Sequence, residues 1–510
     1  MSLGLIDILA FGGFFVLVIG ISLYKSRDEK TSKDYFLAGR GLGLWLIGFS
    51  LIASNISTEH FVGMAGAGFG SLGMAVASYE WIAAITLVFV ALYLLPRFLR
   101  SGIYTIPEFL EYRYNPASRA IMAIFMMIMY VAVALASILY SGAIGLKTIF
   151  GMDMITGVWL IGLIAGAYTI YGGLKAVVWT DLFQGGALLI GGAIVMILGF
   201  RAVGGFSVFF ETNADKLHMI LPASHPEIPW PALLLGLWIP NIFYWGFNQF
   251  IVQRTLGAKS LQEGQKGIML AAGLKLLIPF IIVFPGIMAF QLFPEQIASG
   301  DQAYPVLIRE ILPLGLKGIM FAALFGAVLS SLDSMLNSAS TIFTMDLYKR
   351  HFRPDTPPEK LVKVGRFMTA VFVLTACIIA PFLGHPKFGG IFKYIQMFQG
   401  FISPGIVTVF LFGLIVKKAP PLAAVTAMLG NVIMYGMLLW LFPDIAFLNH
   451  MAITFIALVI IMAVITIIKP LPEPVKMPVN KEIDVTPSFQ SKVAGIVIIV
   501  ITIILYIIFW

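Results

Sequence analysis

Fourteen apolar runs, each about the length of a membrane-spanning helix, follow one another along the 510-residue chain. About 20 apolar residues in a helix cross a bilayer core that is about 30 Å thick. Hydrophobic residues make up 59% of the chain and charged residues only 11%, whereas a soluble domain carries about 25% charged residues. This composition excludes a soluble enzyme, a disordered chain and a nucleic-acid-binding protein. The runs are also too long and too uniform for the strands of a membrane β-barrel.

The predicted fold class is an all-α membrane protein with fourteen transmembrane helices. The spans are predicted at 4–24, 42–67, 71–95, 117–146, 153–171, 176–200, 228–251, 267–294, 314–345, 367–384, 391–416, 420–442, 447–468 and 493–510. We expect a short external helix within 295–313 and a Pro-rich, charged cytoplasmic linker at 469–492.

The distribution of basic residues supports this arrangement. With the N-terminus placed outside, 25 of the 33 Lys and Arg residues lie in or beside inward loops, 7 in outward loops and 1, Lys275, within a span. The positive-inside rule predicts this bias. We therefore expect a multi-pass protein of the plasma membrane with both termini outside. The single cysteine, Cys377, excludes a disulfide within the chain.

Polar residues interrupt the second predicted span, where six of the seven residues at 54–60 are polar. Hydroxyl and amide side chains compete with the helix by bonding to nearby backbone groups. We predict a local unwinding here, with freed carbonyls that can ligate a cation. Packing between helices through small polar residues is the alternative.

The seventh predicted span contains Pro240, which removes a backbone donor and clashes with the preceding turn. Asn241, Tyr244, Asn248 and Gln249 follow it, so we predict a second interrupted helix. Its aromatic and amide groups suit a sugar-like ligand, and an interfacial aromatic belt is the alternative. The two interruptions lie five spans apart and therefore point in opposite directions. A five-plus-five inverted repeat that binds its ligand at the membrane midplane has this arrangement.

Other polar groups also lie within apolar runs. Glu80 and Lys275 either offer hydrogen bonds to a polar solute or pair with each other, because an isolated charge in a membrane is costly. Ser330, Ser331 and Asp333 lie together in the ninth span. Their oxygens are the hard ligands that alkali cations favour, and helix packing by small residues is the alternative.

Several strings in the sequence resemble the sodium/solute symporter family, and within it the sugar branch. They lie at 53–68, 77–81, 170–173, 177–181, 244–249, 253–256, 330–331, 337–346 and 394–396. The resemblance implies an inverted-repeat transport core at 42–416, with repeat one at 42–201 and repeat two at 228–416. An extra N-terminal helix and the first cytoplasmic loop would occupy 1–41, and three peripheral helices 417–510. The first helix of each repeat would be discontinuous.

The resemblance also implies two sets of binding residues. The sodium ligands would be the carbonyls of Ala53, Ile56 and Ala327 and the hydroxyls of Ser330 and Ser331. The solute would be bound by His60, Glu80, Asn241, Lys275 and Gln396, with Tyr244 as an inner gate that stacks on the sugar and Trp245 beside it. Asp181 matches an aspartate linked to cation coupling, and Asp333 is an added carboxylate that leaves open an extra cation site.

Two positions depart from the bacterial sodium/galactose members of this branch and leave the identity of the sugar open. They are His60 in place of glutamine and Ala83 in place of serine. The implied function is sodium-coupled import of a neutral glucose-type or galactose-type hexose by alternating access, across a bacterial inner membrane. The expected partners are sodium, the sugar and the lipid bilayer, with neither nucleic acid nor an obligatory protein partner.

Other functions are weaker alternatives. The solute can instead be an inositol, a sialic acid or a carboxylate, although carboxylates usually need an arginine clamp and no arginine lies deep in a predicted span. A channel needs a continuous polar path, and a receptor would have a larger soluble domain. We expect no enzyme, since no nucleophile–base set is apparent.

Overall fold

The computed structural model describes residues 32–57, 59–384, 391–481 and 483–510, with scattered positions between 9 and 24. The predicted span at 4–24 therefore lies largely outside the described residues. The described part of the chain is built from helices and contains no β-strand. It holds nine helices that are long and apolar enough to cross a membrane, and one bent pair would make a tenth.

Two of the spans are broken, and we name them by their segments. The first broken helix comprises Leu44–Asn55, Glu59–Met64 and Ala65–Phe69. The second broken helix comprises Trp230–Leu235, Trp238–Ile242, Phe243–Phe247 and Gln249–Leu256.

The first half of the chain contains further helices besides the first broken helix. They are Ser32–Leu37, Ala38–Arg40, Gly73–Ala77, Ser78–Phe89, Val90–Leu94, Leu95–Ser101, Ile106–Arg113, Pro116–Ile128, Met129–Leu135, Ala136–Phe150, Met154–Ala202, Phe206–Thr212 and Ala214–Lys216.

The second half follows the second broken helix. It contains Leu261–Leu292, Gly300–Gln302, Ala303–Ile311, Leu316–Ile342, Phe343–Phe352, Pro358–Ile379, Ala380–Gly384, Ile391–Gln399, Ser403–Ile415, Pro421–Leu441, Phe447–Ile468 and Phe489–Ile508. Ala303–Ile311 confirms the short helix expected within 295–313.

Met154–Ala202 forms one continuous 49-residue helix where the sequence predicts two spans. A straight helix would separate Thr169 from Asp181 by about 18 Å. Thr169 nevertheless donates to Asp333 (2.5 Å), and Asp181 accepts from Ser330, only three positions away on the same neighbouring helix (2.5 Å). Thr169 and Asp181 thus both contact the helix Leu316–Ile342, and the apolar parts of the 49-residue helix are Met154–Ala167 and Leu174–Ala202.

The first broken helix is interrupted where the polar run predicts. Its first segment ends at Asn55, and Ile56 is extended (φ −84°, ψ 94°). Helical geometry resumes at Glu59. The Ile56 N–H still donates to the Ile52 carbonyl (2.8 Å), and the chain then leaves helical geometry, which confirms the predicted unwinding.

The second broken helix is interrupted at two places. Its first segment stops at Leu235 and the next begins at Trp238, so the regular helix is broken at Gly236–Leu237, in the turn before Pro240. A proline disrupts this turn because its ring clashes with the carbonyl four positions earlier and it has no N–H to donate. The interruption predicted at Pro240 is therefore observed. The chain leaves helical geometry again at Asn248 (φ −85°, ψ 118°).

The two broken helices run in opposite directions against each other. In order along the first, the contacts join Leu42 to Gly257 (3.0 Å), Ser50 to Arg254 (2.5 Å) and Asn55 to Tyr244 (3.0 Å). As the residue number rises in one helix it falls in the other. The opposite orientation inferred from the five-span offset is therefore observed.

A third discontinuity bends the span formed by Ile391–Gln399 and Ser403–Ile415 by 43°; we call this pair the bent helix. The next helix holds the bend. Tyr435 donates to the carbonyl of Met397 (3.0 Å), and the Asn431 amide donates to the carbonyls of Gly400 (3.3 Å) and Phe401. The helix Pro421–Leu441 thus satisfies carbonyls that the bend frees.

The predicted linker at 469–492 packs closely against the helix ends. Its backbone N–H groups donate to the carbonyls of Lys417 (from Val475, 3.2 Å) and Arg100 (from Asn480, 2.6 Å). The segment therefore lies along one face of the helix bundle.

Candidate functional site

A cavity with about 520 Å³ of space free of protein atoms, open solvent at its mouth included, lies between the two broken helices. Its lining includes all seven residues that the resemblance implies for solute binding, namely His60, Glu80, Asn241, Tyr244, Trp245, Lys275 and Gln396. Lys275 is near the middle of the 32-residue helix Leu261–Leu292. Because such a helix is long enough to cross a membrane, the cavity lies about halfway across the span.

The ammonium of Lys275 connects three helices at this cavity. It donates to Glu80 Oε2 and to Asn55 Oδ1. The Asn55 amide in turn donates to the Tyr244 hydroxyl (3.0 Å). Glu80 and Lys275 therefore do pair with each other, and they also line the cavity. The end of the first broken segment, at Asn55, is tied directly to the cavity wall.

His60 lies between two carboxylates on this wall. Its Nε2 is 3.5 Å from Glu80 Oε1, and its Nδ1 is 4.0 Å from Glu59 Oε1. Within the described residues, Nδ1 has no hydrogen-bond partner although it is buried. The imidazole can therefore still bond to a polar group placed in the cavity.

Aromatic rings and amides form the opposite wall. Tyr244 packs edge-on against Trp245, with ring centres 5.2 Å apart, and the Lys275 ammonium lies 5.0 Å from the centre of the Trp245 ring. The Asn241 amide donates to the carbonyl of Leu237 (3.0 Å), which leaves its carbonyl oxygen for a ligand. Flat rings beside polar groups suit a solute with both apolar faces and hydroxyl edges.

Some lining residues were not predicted as site residues. Asn55 and Glu59 lie in the polar run that predicted the break, and Gln399 follows Gln396 by about one helical turn. The polar run and this helical spacing are the sequence features from which these three lining residues could have been predicted. Tyr79 and Phe392 border the cavity too, with ring centres 5.0 Å apart.

The two helices that carry the predicted cation ligands are in contact at the first break. The Ser331 hydroxyl donates to the carbonyl of Ser54 (3.3 Å), which brings the helix Leu316–Ile342 against the end of the first segment beside Ala53 and Ile56. Ala327 and Ser330 lie on the same helix as Ser331, and the Ser330 hydroxyl donates to Asp181 (2.5 Å).

One arginine, Arg254, is buried in the last turn of the second broken helix. Its helix extends to Leu256, past the predicted end at residue 251, and its side chain is 1% exposed. Its Nη2 is 3.2 Å from Asp181 Oδ2, and its Nε donates to Ser50 (2.5 Å). Arg254 is not among the residues that line the cavity, so it does not form a clamp for a carboxylate solute there.

Asp333 has a different hydrogen-bond partner from the residues around Asp181 and Arg254. Its Oδ1 accepts from Thr169 (2.5 Å), and in the described part of the chain its fully buried Oδ2 has no hydrogen-bond partner. The neighbouring Ser334 bonds instead to Ser54 (3.0 Å) and Arg254.

The chain is similar to several known proteins. A family model described as "Sodium:solute symporter family" matches residues 35–432. A sodium/glucose cotransporter of Vibrio parahaemolyticus is 42% identical, with 100% of this chain and 99% of the relative covered. A human sodium/myo-inositol cotransporter 2 is 35% identical, with 81% of this chain and 66% of the relative covered.

A solved structure has the same fold. It is a substrate-bound, outward-open state of a Na⁺-coupled sialic acid symporter, with a TM-score of 0.82 and 25% identity. The match covers 93% of this chain and 99% of that chain. With these matches over nearly its whole length, the chain belongs to the sodium:solute symporter family.

Proposed function

We propose that the chain is a sodium-coupled symporter that imports a neutral hexose of the glucose or galactose type by alternating access. The observation that carries this proposal is the cavity with polar and aromatic walls between two oppositely directed broken helices. The full-length similarity to a sodium/glucose cotransporter supports the hexose.

The solute would be held by hydrogen bonds and by stacking. His60, Glu80, Asn241, Lys275 and Gln396 would bond to sugar hydroxyls. The Tyr244 ring would stack on the pyranose and close the inner path, with Trp245 fixing its orientation from the side (5.2 Å between ring centres). Because Lys275 already neutralises Glu80, this wall offers many donors and acceptors with no net charge from the pair, which suits a neutral solute.

Sodium would bind at the first break. The carbonyls of Ala53, Ile56 and Ala327 and the hydroxyls of Ser330 and Ser331 would be its ligands. The contact between Ser331 and the Ser54 carbonyl supports this assignment, because it places a hydroxyl beside an interrupted helix end.

The link between the two sites would be Asn55. It closes the first segment and bonds to both Lys275 and Tyr244. A cation that fixes the end of this segment would therefore fix Asn55, and Asn55 would order the cavity wall for the solute. Such a shared element gives two ligands a coupling free energy, and each then raises the affinity for the other.

The membrane potential would drive the cycle. One sodium ion moving inward gains about 2.3 kcal/mol per 100 mV, and a neutral solute adds no electrical cost. We further propose that Asp181, held by Arg254 and Ser330, takes part in cation coupling, and that Asp333 offers a carboxylate for an additional cation site.

The finer architecture also belongs to this proposal. It comprises fourteen transmembrane helices, an inverted-repeat core at 42–416 with repeats at 42–201 and 228–416, and peripheral parts at 1–41 and 417–510. Both termini would lie outside a bacterial inner membrane. The opposite directions of the two broken helices support the inverted repeat.

A second candidate is a sodium-coupled symporter of another polar solute, an inositol, a sialic acid or a carboxylate. The similarity to an inositol cotransporter and to the structure of a sialic acid symporter favours it. An anionic solute fits the cavity less well, because Lys275 is the one lysine or arginine in its lining and is already bonded to Glu80 and Asn55.

A panel of solutes distinguishes these candidates. The purified protein would be heated with glucose, galactose, myo-inositol or sialic acid, each in sodium and in potassium buffer. The proposal predicts that a hexose raises the Tm most, and only in sodium. A larger shift with myo-inositol or sialic acid would replace the hexose, and equal shifts in potassium would reject sodium coupling.

A further inference from the structure

A second large cavity, of about 940 Å³ measured with its open mouth, lies at the ends of two membrane-spanning helices. One wall is the last turn of Leu95–Ser101, the second is the end of Ser403–Ile415, and residues 475–479 of the linker form the third. The distribution of basic residues places this face in the cytoplasm. The lining of this cavity also differs in charge from the lining of the solute cavity, because it contains no acidic residue.

Five of the residues that line this cavity are cationic. They are Arg97, Arg100, Arg113, Lys417 and Lys476. Arg113 is buried, and its guanidinium donates to the carbonyls of Gly413 (2.7 Å), Val416 (2.7 Å) and Ala419 (3.3 Å). It therefore caps the end of the helix Ser403–Ile415, and its role is structural.

The other four cations are exposed and are not neutralised by carboxylates. Across the described ranges, no ion pair involves Arg97, Arg100, Lys417 or Lys476. Arg97 donates to the carbonyl of Tyr93 (2.5 Å) and stacks over its ring at 3.6 Å, which leaves further N–H donors. Four like charges around one cavity repel each other unless an anion lies among them.

Backbone hydrogen bonds join the walls of this cavity. The linker is bonded to both other walls, through the carbonyls of Lys417 and Arg100. Large apolar side chains adjoin the charged rim: Ile415 is 72% exposed and Val479 is 66% exposed. Cations that surround a cavity beside exposed apolar groups, at a membrane–water boundary, match a ligand with a phosphate head and an acyl chain.

We propose that this cavity binds the phosphate of an anionic phospholipid from the inner leaflet, with Arg97, Arg100 and Lys417 as its principal ligands. The shared chemistry is a phosphate-bearing anion, and the adjoining apolar rim assigns it to a lipid. The bound lipid would join the end of Leu95–Ser101, the bent helix and the linker. The proposal does not depend on which solute is transported.

The test is native mass spectrometry of the full-length protein in detergent, titrated with phosphatidylglycerol or phosphatidylcholine. The wild type is expected to retain phosphatidylglycerol in preference to phosphatidylcholine. The triple variant Arg97→Gln, Arg100→Gln, Lys417→Gln is expected to bind phosphatidylglycerol about tenfold or more weakly, because each cation near the head group contributes attraction. Arg113 is left unchanged because it caps a helix.

A matched control removes three other cations, Arg353, Lys360 and Lys363, which are exposed on the same predicted face. Their replacement by Gln is expected to leave phosphatidylglycerol retention within about twofold of the wild type, because they do not line the cavity. Equal loss in both triple variants, or equal retention of the two lipids by the wild type, would overturn the proposal. Displacement of phosphatidylglycerol by inorganic phosphate alone would overturn the assignment to a lipid. A circular-dichroism spectrum and Tm recorded for each variant confirm that it is folded.

Discussion

Glu80 and Lys275 form an ion pair in the wall of the solute cavity, and their side chains are only 3% and 1% exposed. The two residues lie on different helices and are 195 positions apart in the sequence. An isolated charge at this depth would cost about 3 kcal/mol or more on insertion scales, so each charge is stabilised by the other. The same ammonium bonds to Asn55, and through it the ion pair is connected to the first helix break.

Removing one member of this pair should destabilise the protein more than removing both. Lys275→Met or Glu80→Gln alone leaves a buried charge without its partner, at a cost of about 3–5 kcal/mol. The double variant has no unpaired charge and should recover most of the lost Tm. Thermal unfolding without solute measures this. A double variant as unstable as the sum of the two single losses would contradict the pairing.

Recovery of stability should not restore solute binding. The double variant lacks two of the groups that we assign to sugar hydroxyls, so its sodium-dependent Tm shift with hexose should stay absent. A normal shift would remove Glu80 and Lys275 from the proposed solute site.

The Tyr244 hydroxyl should contribute to solute affinity through Asn55. Tyr244→Phe keeps the ring but removes the 3.0 Å hydrogen bond from Asn55. The loss of one such bond, about 1 kcal/mol, corresponds to about a fivefold rise in the apparent KM for hexose. Transport assays should show this together with a higher sodium requirement. Tyr112→Phe, whose hydroxyl bonds to Glu108 outside the spans, serves as the control.

The bend that carries Gln396 should depend on a helix that does not line the cavity. Asn431→Leu and Tyr435→Phe leave the carbonyls of Met397, Gly400 and Phe401 without these donors. Gly400 approaches the Tyr435 ring so closely that a Cβ there would lie 2.2 Å away. We expect each variant to raise the KM for hexose about threefold to tenfold, the effect of about 1 kcal/mol.

A control for the bend lies on the same helix. Met437 is 53% exposed, and Met437→Leu should leave the KM unchanged. If Asn431→Leu and Tyr435→Phe also leave the KM unchanged while lowering the Tm, the bend would be structural without positioning Gln396.

Sodium affinity should depend on Ser331. Ser331→Ala removes the hydroxyl that lies 3.3 Å from the Ser54 carbonyl at the break. We expect about a tenfold increase in the sodium concentration that gives half-maximal uptake, as for the loss of one strong polar contact. Ser340→Ala, on the same helix but bonded to the Gly365 carbonyl, should leave it unchanged. A rise of equal size in both variants would point to a general effect on this helix.

Acidification should weaken the ion pairs of Glu111, which lies on the short helix Ile106–Arg113 between two spans. Burial alone would raise the pKa of Glu111, but hydrogen bonds from Arg350 (2.7 Å) and Arg119 (2.8 Å) outweigh it and hold the pKa below its usual range. A carboxyl with a lowered pKa stabilises the fold above its unfolded pKa, about 4.3, and loses this effect as the pH falls through the folded value.

The Tm difference between the wild type and Glu111→Gln should therefore be constant above about pH 5 and shrink below about pH 4. Arg350→Gln, which removes a partner of the same carboxyl, should show a similar profile. A difference that grows on acidification would contradict the sign of the pKa shift.

The polar run at 54–60 was enough to predict the first break, because apolar neighbours cannot satisfy so many hydroxyl and amide groups. The opposite directions of the two broken helices followed from counting spans. The resemblance to the family selected residues as distant as His60 and Gln396, which the fold brings to one cavity. No periodicity in an all-apolar helix could have selected them.

Other features depend on contacts that a sequence does not display. The interruption of the second broken helix at Asn248 has no proline to predict it. The burial of Arg254 requires Asp181, 73 positions away, as its partner. Asn431 resembles any small polar residue that joins two helices, and only the position of the bend shows that it binds freed carbonyls.

Uptake of radiolabelled glucose or galactose into proteoliposomes tests the central claim most directly. The vesicles would be loaded with potassium and diluted into sodium or potassium medium, with and without an inside-negative potential. The account predicts that hexose accumulates above its external concentration only in sodium medium, and faster when the interior is negative. Equal uptake in sodium and potassium media would contradict it.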